Sequence, residues 1–293
     1  MSASNPALKT LPRNRLGQQA TKRLGSLAVY LGLGIFTLIL FTPFVWMISL
    51  SLKTLAQVGQ YPPNLIPNPI AWDNYWQALF VQQPFLLYLR NTGIIAAFVI
   101  IGEILSSTFI AYGFAKLRFP GRDLLFTVLL ATLMIPFVVK LVPLFVQFRK
   151  LDWINTFLPL IVPSFFGTPF SIFLMRQFFL TIPNELNEAA RIDGANELRI
   201  WWQIYLPLSK PAIAVVAIFA FQNVWNDFLG PLVYLQRQEV KTVTLGLYAL
   251  IGMFIEYNTV MAGAVAIIIP MVIVFLVFQR FFIQGIAVTG LKG

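Results

Sequence analysis

The 293-residue chain is 58% hydrophobic and 11% charged, with a net charge of +10. A soluble domain of this size carries about a quarter charged residues, so lipid is expected to be the main solvent of this chain. It contains no cysteine and no histidine, which excludes disulfide bonds, thiol nucleophiles, Cys/His zinc sites and histidine-based triads. We accordingly expect no metal site.

Six apolar segments are each long enough to cross a bilayer as a helix, for which about 20 residues are needed. They cover residues 26–50, 93–115, 124–146, 157–175, 211–235 and 257–279. Between the first two, residues 52–87 contain several prolines, tryptophans and tyrosines, which is typical of an ordered loop outside the membrane. The pattern predicts an all-α integral membrane protein with six transmembrane helices.

The distribution of basic residues predicts how these helices are oriented. An even number of spans places both chain termini on the same side of the membrane. Two thirds of the 21 lysine and arginine residues then lie on that side, and short cytoplasmic segments are enriched in both residue types. We therefore expect a multi-pass protein of the bacterial inner membrane with both termini in the cytoplasm.

The same pattern divides the chain into three parts. Residues 1–25 are polar and basic and are predicted to form a disordered cytoplasmic tail. Residues 26–284 are predicted to form the transmembrane domain, and residues 285–293 a cytoplasmic C-terminal tail.

A polar segment, residues 181–208, separates the fourth and fifth apolar segments. Its first part predicts a short helix that begins at Pro183 and ends at Gly194, because glycine readily adopts the left-handed conformation that stops a helix. Asn196 is predicted to cap a second helix. Four side chains on that helix form one apolar and aromatic face: Leu198, Trp201, Trp202 and Tyr205. These features favour equally a docking surface and a solvated loop between two spans.

Two acidic residues lie within predicted spans, where ionisable groups usually face the protein interior. Asp227 forms a cluster with Asn223, Trp225 and Asn226 that combines an aromatic ring with amide and carboxylate acceptors, which suits a sugar pathway. Alternatively, Asp227 pairs with a basic residue of a loop and sets the geometry of the helix end. Glu103 either is a buried hydrogen-bonded group at a subunit interface or lines the same pathway.

One motif within the polar segment resembles a known family. The sequences EAARIDGA, Glu188 to Ala195, and IYLP, Ile204 to Pro207, resemble the EAA motif of binding-protein-dependent ABC importer permeases in every fixed position and spacing. Further segments are similar to the shorter, six-helix partner of the maltose-type carbohydrate permeases: SLKT, YPPNLIPNP, MIPFVVKLVPLF, FLMRQFF, WNDFLGPL and the tail GIAVTGLKG. The resemblance covers nearly everything after residue 25.

The resemblance implies the type I ABC importer permease fold, in which residues 181–208, hereafter the coupling loop, form cytoplasmic coupling helices. Such a permease forms an alternating-access pathway with a second permease subunit. An extracytoplasmic binding protein delivers a sugar, glycoside or polyol, and two separate ATPase subunits bind ATP and Mg and hydrolyse the ATP. The permease itself is then not an enzyme, carries no cofactor and does not bind nucleic acid.

The resemblance also assigns the residues that couple the permease to the ATPase subunits. Glu188 would pair with a basic residue of an ATPase cleft, Ala189 and Ala190 would allow close packing, and Gly194 would set the turn. The complete set of expected coupling residues is Glu188, Ala189, Ala190, Asp193, Gly194, Ala195 and Pro207.

Three other classes of protein remain as alternatives. The first is an ABC importer permease for a solute that is not a sugar. The second is a self-sufficient secondary transporter, which usually shows repeated architecture with interrupted helices; no internal repeat is evident in this sequence. The third is a membrane enzyme, for which the sequence offers only scattered carboxylates and no phosphate-binding G-x-x-x-x-G-K-[ST] segment.

Overall fold

The computed structural model describes residues 15–251 and 256–290, with side chains described for residues 25–251 and 256–279. Within these ranges the chain is helical and contains no β-strand. The first part consists of α1 (Arg15–Ser51), α2 (Leu55–Val58), α3 (Asp73–Trp76), a π-helical turn (Gln77–Val81) that continues α3, and α4 (Phe85–Lys116). The loop between α1 and α4 is therefore partly helical, as expected of an ordered segment.

Two broken helices follow α4. The first comprises α5 (Arg122–Ala131), a 3₁₀ turn (Thr132–Met134) and α6 (Phe137–Lys150). The second comprises α7 (Leu158–Ile161), a 3₁₀ segment (Val162–Phe166) and α8 (Pro169–Thr181).

The coupling loop and the remaining helices complete the described chain. In the coupling loop lie α9 (Glu185–Ile192), α10 (Glu197–Ile200), a π-helical turn (Trp201–Tyr205) and α11 (Leu206–Leu208). They are followed by α12 (Lys210–Asn226), α13 (Leu229–Tyr234), a 3₁₀ turn (Gln238–Val240), α14 (Val243–Ala249) and α15 (Tyr257–Gly290).

Among the described residues, four helical segments are long and apolar enough to cross a membrane: Gly25–Ser51, Phe85–Lys116, Leu158–Thr181 and Tyr257–Gln279. Two further helix pairs meet the same criteria only when each bent pair is taken as one span. The pair Arg122–Met134 and Phe137–Lys150 is bent by 97°, and the pair Glu197–Leu208 and Lys210–Asn226 is bent by 82°. The number of spans thus reaches six only if both bent pairs are included.

Three of the predicted spans differ from the structure for identifiable backbone reasons. Residues 124–146 do not form one straight helix, because Pro136 lacks an N–H and the residue before it is extended, with φ −81° and ψ 111°. The fifth helix ends at Asn226 rather than at residue 235, since Asp227 is extended. The fourth span continues to Thr181 and contains a break at Gly167, whose φ is +85°.

The helices α1 and α15 also extend into the predicted tails. The first begins at Arg15 and the last runs to Gly290, so residues 15–25 and 285–290 are helical in the structure. The predictions for residues 1–14 and 291–293 lie outside the described residues.

The helix α4 is the centre of the bundle and packs against α8 and α12 along its length. At Gly102 the backbone of α4 lies close to the 3₁₀ segment that precedes α8. A Cβ atom at this position would lie 2.6 Å from the Phe165 ring. Small residues allow such close approach in membrane helix contacts, since lipid tails offer no hydrophobic drive for helices to associate. The helix α4 is therefore in direct contact with both neighbours.

Candidate coupling surface and transport pathway

The helix α9 presents the EAA motif and ends in a well-formed turn. It begins at Glu185, two residues later than predicted, and Gly194 adopts φ +78° after its last turn. The Gly194 N–H donates to Arg191 O at 3.0 Å, and the Ala195 N–H donates to Ala190 O at 2.9 Å. This pair of hydrogen bonds is a Schellman motif, which satisfies carbonyl groups that the helix end would leave unpaired. The predicted glycine stop is confirmed.

The second helix of the coupling loop begins at the predicted cap. The Asn196 side chain accepts a hydrogen bond from the Arg199 N–H at 2.8 Å. The predicted single aromatic face is wrong, however. Trp201 and Tyr205 are buried, whereas Leu198 and Trp202 are exposed. Trp201 and Tyr205, four residues apart, pack into a buried cluster of this chain, and Leu198 and Trp202 lie outside it.

The exposed surface of the coupling loop combines charged and apolar side chains. Glu188, Ala189, Asp193, Gly194 and Pro207 are all exposed, and Ala195 is half-buried. Ile192 is the most prominent apolar side chain here, with 87% of its surface exposed.

Ala190 requires a correction, since it was expected to lie against a partner. It is buried in a cluster of this chain that includes Ile200 and Tyr205. Within the Glu-Ala-Ala sequence, Ala189 is therefore the alanine available to a partner, and Ala190 holds α9 against the bundle.

Two residues at the end of α4 hold the coupling loop in place. The Tyr112 hydroxyl donates to Glu197 Oε2 at 2.5 Å. The Lys116 ammonium donates to Ile182 O at 2.7 Å and to Asn184 Oδ1 at 2.8 Å. Because Tyr112 and Lys116 are four residues apart, they project from the same side of α4. The start of α10 and the residues that lead into α9 are thus attached to one transmembrane helix.

The Glu197 carboxylate, which accepts from Tyr112, also forms a salt bridge with Arg191 of α9. Its Oε1 atom lies 2.7 Å from an Arg191 guanidinium nitrogen, while its other oxygen accepts from Tyr112. The neighbouring Tyr205 ring packs edge-on against the Tyr112 ring at 4.9 Å. Burial, reinforced by the negative charge of Glu197, raises the pKa of Tyr205 to about 12.

Sequence reasoning did not identify Tyr112, Lys116, Arg191 or Glu197 as a unit. The available signal was the pair of polar side chains at i and i+4 in the last turns of an apolar helix. Such a pair also occurs at ordinary helix ends, so the partners could be identified only from the fold.

In the middle of α4, Glu103 is buried and hydrogen-bonded. Only 5% of its surface is exposed. Its Oε1 atom accepts from the Thr168 hydroxyl at 2.5 Å and from the Ser171 hydroxyl. Glu103 is thus a buried hydrogen-bonded group whose contacts lie between α4 and α8 of this chain, and its place in a solute pathway stays a prediction. Among the described residues, no hydrogen bond joins Glu103 to Asp227.

Replacing Glu103 by leucine is expected to lower the thermal unfolding temperature of the purified protein. The change leaves the buried Ser171 hydroxyl and the half-buried Thr168 hydroxyl without their carboxylate acceptor, and a buried unsatisfied group costs about 1–3 kcal/mol. Glu103→Gln is the matched control, because its side-chain oxygen still accepts a hydrogen bond. Equal unfolding temperatures for the leucine and glutamine variants would contradict this role of the carboxylate.

At the far end of α12 from the coupling loop, Asp227 organises the backbone. The helix has 17 residues and is therefore about 25 Å long at 1.5 Å per residue. Asp227 Oδ1 accepts from the Gly230 N–H at 3.1 Å, and its carbonyl oxygen accepts from the Thr244 hydroxyl at 2.7 Å. Among the described residues, Asp227 forms no salt bridge. It shapes the helix end through backbone groups rather than through the basic loop residue considered above.

The neighbours of Asp227 divide into packed and exposed residues. Trp225 is only 5% exposed, its indole N–H donates to Ile267 O at 3.1 Å, and its ring stacks on Phe221. Trp225 therefore packs α12 against α15 and offers no open platform to a solute, contrary to the prediction. Asn223 and Asn226 are exposed on α12. These two amides remain the candidates for solute contact.

The comparison with known proteins decides the family. Residues 104–288 match the family model of the binding-protein-dependent transport system inner membrane component. The chain belongs to this family of permeases. This assignment confirms the resemblance carried by the EAA motif, and the match includes the whole coupling loop.

Several characterised proteins are similar to the permease over most of their length. The arabinooligosaccharides transport system permease protein AraQ of Halalkalibacterium halodurans is 33% identical over 94% of this chain and 100% of the relative. The sn-glycerol-3-phosphate transport system permease protein UgpE of Yersinia pestis is 37% identical over 85% of this chain and 91% of the relative. The galactooligosaccharides transport system permease protein GanQ of Bacillus subtilis is 35% identical over 90% of this chain and 94% of the relative.

A solved structure supports the fold of the permease. A chain in the crystal structure of a bacterial ABC transporter involved in the import of the acidic polysaccharide alginate superposes with a TM-score of 0.77 and 28% identity. The superposition covers 89% of the permease and 98% of that chain. The permease thus has the type I ABC importer fold.

Proposed function

We propose that the permease forms, together with a second permease subunit, the alternating-access pathway of an ATP-driven importer for a sugar, glycoside or polyol. The observation that carries this proposal is the coupling loop: an exposed EAA helix with a glycine turn, hydrogen-bonded to the end of α4. The solute class is supported by the names of the relatives, which transport arabinooligosaccharides, galactooligosaccharides and sn-glycerol-3-phosphate.

In the assembled transporter, two ATPase subunits receive the coupling helices, one from each permease. The exposed Ile192 side chain and the small Ala189 enter an apolar cleft, while Glu188 pairs with a basic residue at its edge. Asp193, Gly194, Ala195 and Pro207 maintain the turn and the exit of the loop. An extracytoplasmic binding protein delivers the solute, and the ATPase subunits bind ATP and Mg. The permease contributes no catalytic residue and no cofactor.

The central helix provides a physical route from the ATPase to the opposite side of the membrane. Near its start, the Asn91 side chain donates to Glu239 O at 2.8 Å and to Lys241 O at 3.0 Å. In its middle, Glu103 joins it to α8, and at its end Tyr112 and Lys116 join it to the coupling loop. A rigid helix attached at three levels moves the elements around it together, which alternation between two discrete states requires.

The proposed orientation places the coupling loop and both termini in the cytoplasm of a bacterium. It rests on the excess of lysine and arginine on that side of the membrane. The ends of α12 then lie on opposite sides, so that Asn223, Asn226 and Asp227 lie towards the side from which solute enters.

The proposal is tested by reconstituting the permease with its second permease, ATPase subunits and binding protein in liposomes. A panel of oligosaccharides, monosaccharides, polyol phosphates, amino acids and peptides is added, and ATP hydrolysis and uptake are measured together. We expect at least one solute of this class to stimulate both. Uptake by the permease alone without ATP would instead indicate a secondary transporter, and stimulation only by amino acids or peptides would contradict the solute class.

A more local prediction concerns the exposed asparagine at the end of α12. We expect Asn226→Leu to reduce uptake about threefold to tenfold, since a lost hydrogen bond to solute is worth about 0.5–1.5 kcal/mol. Uptake is measured in the reconstituted transporter with saturating binding protein. Asn226→Gln retains the amide and should keep most of the uptake. Full uptake by the leucine variant would remove Asn226 from the pathway.

A further inference from the structure

A short helical segment on the side opposite the coupling loop presents two contrasting faces. It runs from Asp73 to Val81, combining α3 with the π-helical turn that continues it. Its inner face is fixed by Asn74, whose side-chain N–H groups donate to Ser51 O at 2.9 Å and to Lys53 O at 2.8 Å. Asn258 of α15 donates in turn to Asn74 Oδ1 at 3.0 Å. The segment therefore lies across the adjacent ends of α1 and α15.

The outer face of this segment carries Trp76 and Phe80, and Trp72 directly precedes its first residue. We call these three large aromatic side chains the aromatic stripe. Trp72, Trp76 and Phe80 are 68%, 58% and 48% exposed, respectively. The Trp76 and Phe80 ring centroids are 4.6 Å apart, so their rings form one continuous surface. The neighbouring polar edge is formed by Gln77 and Asp73, which are hydrogen-bonded to each other at 3.2 Å.

We propose that the aromatic stripe lies in the lipid headgroup region of the leaflet opposite the coupling loop and anchors this segment there. The stripe continues the exposed apolar surface of the adjoining spans. Val45 and Ile48 are exposed in the last turns of α1, and Tyr257 is exposed at the start of α15. Tryptophan is enriched at this depth of a bilayer because its ring combines an apolar body with a polar N–H.

The arrangement of the segment matches that of an amphipathic helix lying in the plane of the interface. Such a helix buries its apolar side chains at the boundary between headgroups and acyl chains and exposes its polar edge to water. The stripe and the Asp73–Gln77 edge supply these two surfaces. Because Asn74 ties the segment to α1 and α15, the anchor also sets how deeply the ends of these two spans lie in the membrane.

The test uses the absence of cysteine from the chain, which allows single cysteines to be introduced and spin-labelled. Trp72→Cys, Trp76→Cys and Phe80→Cys probe the stripe, and Asp73→Cys is the matched control on the polar edge. Each labelled permease is assembled into the complete transporter in nanodiscs of phosphatidylethanolamine and phosphatidylglycerol. Collision of the nitroxide with oxygen, which partitions into lipid, is compared with collision with a water-soluble nickel chelate.

We expect the ratio of oxygen collision to nickel collision to be higher at all three stripe positions than at position 73. Nickel access at the stripe equal to that at position 73 would show that it faces water and would overturn the proposal. Protection from both reagents would show that another protein covers the stripe, which would also overturn it. The measurement does not depend on transport or on the identity of the solute.

Discussion

Replacing Gly194 by proline is expected to abolish the coupling of ATP hydrolysis to transport while leaving the permease in the membrane. Gly194 adopts φ +78°, whereas proline is confined to φ of about −65° and cannot donate the N–H that bonds Arg191 O. The Schellman turn therefore cannot form, and the exposed end of α9 is displaced. Uptake and solute-stimulated ATP hydrolysis should both fall by at least about tenfold, the factor that corresponds to ~1.4 kcal/mol.

The matched control at this position is Gly194→Asn. Asparagine tolerates the left-handed conformation better than other residues with a side chain, and a Cβ atom at position 194 would meet nothing within 4 Å. This variant should retain most of the uptake. If the proline variant bound the ATPase subunits and transported normally, the turn would have no coupling role.

The second large effect is expected from the hydrogen bond between Tyr112 and Glu197. Tyr112→Phe removes the donor and Glu197→Gln removes the charge of the acceptor, and hydrogen bonds to charged groups are worth about 1.5–3 kcal/mol. Each variant should lower the unfolding temperature and reduce the uptake obtained per ATP hydrolysed. The double variant should lose less than the sum of the two single losses, because both changes break the same contact.

Tyr205→Phe supplies the control for this experiment. Its hydroxyl is buried in the same cluster and has no hydrogen-bond partner among the described residues. Removing that hydroxyl should therefore leave the unfolding temperature and the coupling ratio nearly unchanged. Equal losses in Tyr112→Phe and Tyr205→Phe would mean that general packing of the cluster, rather than the hydrogen bond to Glu197, holds the coupling loop.

Much of the architecture could be predicted from the sequence, because a helix that crosses a bilayer needs about 20 mostly apolar residues. Apolar runs identified the principal helices, and the fixed spacing of the EAA motif located the coupling loop. The breaks at Ile135 and Asp227 were missed, since apolar composition continues through both positions while the backbone turns. Hydropathy records which side chains prefer lipid and contains little information about where a helix bends.

The candidate site was predictable to a similar, limited degree. Gly194 and Asn196 follow from backbone rules that act within a few residues, and both predictions are confirmed. Whether Ala190 and Trp225 face a partner or their own chain depends on distant helices, which the local sequence does not specify. The attachment of Tyr112 to Glu197 joins residues 85 positions apart for the same reason.

The turn at the end of α9 has a consequence for how such permeases diversify. Its two defining hydrogen bonds join backbone atoms only, and one glycine provides the necessary conformation. The shape of the element is therefore independent of the side chains exposed on it, including Glu188 and Ile192. In the proposed complex, substitutions at those positions would change the surface offered to the ATPase and leave the backbone of the turn as it is. The side chains that a partner would contact and the backbone conformation of the turn can thus change independently of each other.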